Sequence, residues 1–159
     1  MRVVCCCDGD GAGPLLAFAF AHLAPVTMLD LLYCIDSGCQ EDVRLAQGSF
    51  LGRLHRGEGH DAGLTAAAEQ HAAAVLEEAA TAARHAGYDG EQVAHVVHGR
   101  PGHEIVQALG ELRADVVVLF PRPPARQVPP GPHSLGHAAR FIVDHAPCGV
   151  LLVRGGISF

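Results

Sequence analysis

A chain of 159 residues, 49% of them apolar and few of them aromatic, is the size of one ordinary domain and can bury a proper core, which excludes a disordered chain and leaves little room for a second domain. The formal charge is −6 and the eleven Lys and Arg are scattered, so there is no basic surface for phosphates and nucleic acid is not an expected partner. No apolar run reaches the roughly 18 to 20 residues of a membrane span, and Met1-Arg2-Val3-Val4 enters a short apolar segment with no signal-peptide pattern, so the expected location is cytoplasmic, with no membrane partner.

Val3 to Cys7 reads as a first strand, apolar on both faces like a central parallel strand, and Asp8-Gly9-Asp10-Gly11 ends it. Adjacent cysteines in a strand point to opposite faces and cannot easily pair, so Cys5, Cys6 and Cys7 read as buried, inert thiols. Pro14 suits a first helical turn, and Leu15 to Leu23 forms an almost wholly apolar helix. Leu29 to Ile35 is a second strand, stopped at Asp36-Ser37-Gly38, and residues 40 to 60 read as a polar, variable insertion.

From Ala62 to Ala86, the residues Leu64, Ala68, His71, Val75, Ala79, Ala82 and Ala86 recur at spacings of three and four, which predicts one face of a long helix stopped by Gly87. Val93 to His98 is a third strand, Gly99-Arg100-Pro101-Gly102 a turn, and Ile105, Val106, Leu109 and Leu112 mark the inner face of the next helix. Ala114 to Phe120 is the clearest buried strand. Residues 121 to 133 carry prolines and two arginines and must be a loop. Ser134 can cap a last helix carrying Leu135, Ala138, Ala139, Ile142 and Val143, followed by Pro147 and a strand from Gly149 to Arg154.

Strands alternating with helices predict a single α/β domain over residues 1 to 159. It is doubly wound, flavodoxin- or Rossmann-like, with a five-stranded parallel sheet and helices on both faces. Ligands collect at the carboxyl ends of such strands, and here that rim comprises Asp8 to Gly13, Asp36, His98 to Gly102 and the loop after Phe120. No Ser-His-Asp order or paired carboxylates are visible, and Gly9 to Gly13 lacks the Lys and Ser/Thr of a P-loop, so no enzyme is expected. His98, His103, His133 and His137 fall on or near the rim without the spacing of a recognised metal site, and no metal is expected.

The segment Leu135 to Arg154, LGHAARFIVDHAPCGVLLVR, resembles the closing helix and strand of the universal stress protein family. Val96 to Leu109 is similar to its third strand, turn and helix, and Val3 to Gly9 to its opening strand. The resemblance covers the chain apart from Gln40 to His60. It implies a homodimer in stress signalling, paired through the last strand, Gly149 to Arg154, which as an apolar edge needs covering.

ATP-binding members carry a loop Gly-x2-Gly-x9-Gly-Ser/Thr, whose glycines let backbone N–H groups approach phosphates. Here Phe120 and Pro123 replace the first two glycines, the second interval is three residues longer, and the final pair is Gly136-His137. Proline has no N–H to donate. The resemblance still implies ribose or adenine contacts from Asp8, with Cys7 beside it, and from Cys34 and Ile35 on the second strand, with Gly99 at the rim. Arg122 and Arg126 could supply charge to phosphate in place of lost donors.

ATP or AMP is therefore the candidate ligand, weakened on the phosphate side. Asp8 equally suits a turn cap in Asp-Gly-Asp-Gly, and the proline-rich loop is either a simple connector or a segment that a protein partner recognises. Two functions compete: a nucleotide-free binding and signalling scaffold, which the lost glycines favour, and a nucleotide sensor.

Overall fold

The computed structural model describes residues 1–8, 12–23, 25–37, 59–120 and 135–153. The strands are β1 (Arg2–Cys6), β2 (Met28–Asp36), β3 (Glu91–Gly99), β4 (Val116–Leu119) and β5 (Gly149–Leu152), and the helices are α1 (Gly13–His22), α2 (Gly59–His85), α3 (Pro101–Leu112) and α4 (His137–His145). All strand pairs are parallel, in the order β3-β2-β1-β4-β5. This is the order of the dinucleotide-binding fold, so of the two architectures the sequence allows, the flavodoxin order 2-1-3-4-5 is not the one adopted.

The chain steps outward from β1 to β3, then returns across the sheet to β4. Crossovers of one hand therefore put α1 and α2 on one face and α3 and α4 on the other. Alternation along β1 feeds both layers: Val3, Cys5 and Cys7 join Leu15, Leu16, Leu76 and Ala79 in one core, while Val4 packs with Ile105, Leu109, Ala139 and Ile142 in the other. No helix among the described residues is long and apolar enough to cross a membrane.

Two expectations are corrected. The buried seam of α2 is Ala72, Leu76, Ala79 and Ala83, about one residue out of phase with the predicted face. Of the residues on that face whose burial is described, Ala79 is buried, Ala68, Val75, Ala82 and Ala86 are half-buried, and His71 is exposed with its ring edge on Tyr33 at 6.0 Å. Alanine fills so many positions that spacing alone does not fix the phase, and the helix settles where Leu76 enters the core. Leu135, predicted inside the last helix, lies in the turn before it; α4 starts after Gly136, whose φ of 75° suits glycine. The predicted Ser134 cap, the insertion at 40 to 58, the proline-rich loop and Arg154 lie outside the described residues.

Candidate functional site

Strand order reverses between β1 and β4, and the crevice beyond their carboxyl ends is where this architecture binds ligands. A cavity of about 560 Å³ opens there. Cys6, Cys7 and Asp8 come from the end of β1, Leu32, Tyr33 and Cys34 from β2, Pro101 and Ile105 from the first turns of α3, and Leu119 and Phe120 from β4; Leu135 to Ala139 and Ile142 close it from the entry of α4.

Local bonds fix this shape. Past the end of β1, Cys7 N–H still donates to the Leu32 carbonyl at 2.8 Å, which holds Asp8 over the strand end. Ser37 N–H donates to the Gly99 carbonyl at 3.2 Å, and Cys34 Sγ lies 4.0 Å from that same oxygen. Gly99 has φ 141°, and a Cβ there would sit 2.5 Å from Glu104 Oε1, so glycine is required where β3 turns into α3. The first N–H groups of α4 have no partners within the helix and Arg140 N–H is the first to bond back, to Gly136, so the positive end of that helix faces the cavity.

The walls are apolar and thiol-bearing. Burial, with Asp36 and Glu104 adding negative charge, pushes the Cys34 thiol up to about 11. Burial raises the Cys6 thiol further, and burial with nearby Asp8 raises the Tyr33 hydroxyl. At neutral pH these groups are protonated, so the cavity presents neutral thiols rather than thiolate nucleophiles. Among the described lining residues Asp8 is the one carboxylate, and none is Lys or Arg.

Of the candidate residues from the sequence, Cys7, Asp8, Cys34, Gly136 and His137 meet around this cavity. Ile35 and Gly99 are not in its lining: Ile35 follows Cys34 and points to the opposite face of the sheet, and Gly99 acts through its carbonyl. Arg122 and Arg126 lie outside the described residues. His98, on the expected rim, is held by Glu69 Oε1 at 2.8 Å. Pro101 falls within the rim expected at His98 to Gly102, whereas sequence reasoning does not place Cys6, Tyr33, Ile105 or Leu135 at the site; alternation with Cys34 is the available signal for Cys6. Among the described residues, no three His, Cys, Asp or Glu side chains group to hold a metal ion.

The fold recurs among solved structures. The hypothetical protein MJ0577 matches with a TM-score of 0.73 at 17% identity, over 99% of this chain and 97% of that one. A universal stress protein family protein from Arabidopsis thaliana with AMP bound matches at 0.64 and 14% identity, over 99% and 93% of the two chains. The universal stress protein from Archaeoglobus fulgidus in complex with dAMP matches at 0.60 and 20% identity, over 96% of each. At these identities the likeness is one of fold. Among curated proteins none matches in sequence. The sequence profile of the universal stress protein family, however, matches residues 1–154, nearly the whole chain, and the chain therefore belongs to that family.

Proposed function

We propose that this protein is a non-catalytic, homodimeric signalling module of stress adaptation, and that it senses an adenine nucleoside or its monophosphate rather than ATP. The observation that carries the reading is the cavity at the β1–β4 reversal, about 560 Å³ with apolar walls and, among its described lining residues, one carboxylate, Asp8. That volume is within the roughly 300 to 1,000 Å³ of small-molecule sites. Apolar walls suit a base, a carboxylate with about four acceptor positions suits ribose hydroxyls, and the amino end of α4 suits one phosphate.

Support for stopping at one phosphate comes from the sequence: the loop that would cradle a triphosphate carries prolines where N–H donors are needed. Family members from Arabidopsis thaliana and Archaeoglobus fulgidus have been solved with AMP and dAMP. The absence of chemistry rests on the donor set, since the described cavity offers protonated thiols and no base paired with a nucleophile.

Calorimetry with adenosine, AMP and ATP tests this. AMP is expected to bind at least as tightly as ATP, to raise the melting temperature, with stabilisation of about 2.7 kcal/mol at a hundred times its Kd, and to weaken roughly tenfold in Asp8→Ala, the cost of one charged hydrogen bond. No binding of adenosine or AMP at millimolar concentration leaves the nucleotide-free scaffold as the function. Tighter binding of ATP than of AMP by tenfold overturns the phosphate argument.

A further inference from the structure

Three of the cysteines surround one cavity, and two of them share a face. Cys6 and Cys34 belong to neighbouring strands and both face the α3 and α4 layer, packing against the core cluster that contains Val4, Leu32 and Leu119. Cys7 points to the other face, and its Sγ lies 3.6 Å from the Cys5 carbonyl oxygen. Cys6 is level with Leu32 across the ladder, and Cys34 is two residues further along. With strands about 4.8 Å apart and about 3.3 Å of rise per residue, the two Cα atoms are about 8 Å apart.

That span separates the available chemistries. A disulfide needs Cα atoms within about 7 Å and sulfurs about 2 Å apart, so Cys6 and Cys34 are too distant to join directly. A metal ion held at about 2.3 Å from each sulfur opens the S···S distance by roughly 2.6 Å and moves the tolerated Cα span to about 7 to 9 Å, which includes this pair. Zinc takes four donors, and no third is grouped with them among the described residues. A soft ion that is content with two thiolates is monovalent copper.

We propose that Cys6 and Cys34 form a two-sulfur site for monovalent copper within the cavity. Both residues belong to the cavity wall. The apolar neighbours Leu32, Leu119 and Ile105 shield the ion from water. Both thiols are protonated at neutral pH, so binding exchanges two protons for one copper ion with no change of oxidation state. The site shares its cavity with the proposed nucleoside, but its test reads copper transfer and does not depend on nucleotide binding.

The test presents anaerobic, reduced protein with copper(I) bicinchoninate. One copper is expected to leave the coloured complex per chain, with release of two protons and a higher melting temperature. Cys34→Ser and Cys6→Ala should each weaken binding at least a hundredfold, while Cys7→Ser, on the opposite face of the sheet, should keep it. Failure of the wild-type chain to take copper overturns the site. So does equal loss in Cys7→Ser, which would assign the metal to the Cys5-Cys6-Cys7 segment. A melting temperature lowered by copper also overturns it, because the ion would then be held by the unfolded chain. If Cys6→Ala fails to fold, Cys34→Ser decides alone.

Discussion

Asp30 has no exposed surface, and both of its carboxylate oxygens are engaged. Arg2 donates Nε to Oδ2 at 2.6 Å and Nη2 to Oδ1 at 3.0 Å, and His95 Nε2 lies 2.7 Å from Oδ1, so one side chain ties β1, β2 and β3 together near their amino ends. Burial alone would raise this carboxyl, but the hydrogen bonds from Arg2 and His95 and their charges hold it below its ordinary value. A group whose folded pKa is lowered contributes stability above its unfolded pKa and loses it as pH falls through the folded value. Asp30→Ala is therefore expected to cost about 1 to 3 kcal/mol at pH 7, because it removes the buried acceptor of the Arg2 and His95 hydrogen bonds, and the gap from wild type should narrow below about pH 4. Urea unfolding of both proteins across pH measures it; a gap that stays constant down to pH 2 would show that packing, not charge, carries the loss. None of this was legible in the sequence. Asp30 sits in the apolar run LDLLYCI, and its partners are 28 and 65 residues away.

At the scale of elements, legibility tracks how distinctive each side chain is. The strands are legible because Val, Leu and Cys runs bounded by Gly and Asp fit only buried parallel strands; Asp8 falls on the expected rim because a strand end is easy to locate, whereas Cys34 is implied by the family resemblance alone. Tyr33, Ile105 and Leu135 were missed because apolar side chains at a cavity read the same as side chains in a core. The phase of α2 was misread for a related reason: alanines at so many positions make neighbouring faces look alike. The structure puts Leu76 in the core and leaves Val75 half-buried. Leu76→Ala is expected to destabilise by about 2 to 4 kcal/mol and Val75→Ala by about 1 kcal/mol or less. Thermal denaturation of the pair discriminates the two phases, since the face predicted from spacing would make Val75 the costlier loss.

At the scale of the molecule, the sheet ends on β5, whose outer edge has no strand beside it among the described residues. The edge is short and apolar, with Val150, Leu151 and Leu152 all half-buried, and such an edge invites a second strand. Backbone direction offers a clean test of the proposed dimer. Gly149 N–H donates to Asp115 and Val153 N–H to Leu119, so the N–H groups of the odd-numbered residues face β4. By the period of two, the N–H of Val150 points outward, toward any partner strand. Proline there removes a donor that the fold itself does not use, and edge strands tolerate proline on that side. Light scattering is expected to give the wild-type chain twice its 16.6 kDa mass and Val150→Pro the mass of one chain with its circular dichroism retained. A wild-type monomer would remove the dimer, and a Val150→Pro dimer would move the contact away from β5. In either outcome the cavity lies at the reversal between β1 and β4, one strand in from that edge. Nucleoside binding should therefore survive in the monomer, with the same affinity, which makes assembly and ligand capture separable properties of this fold.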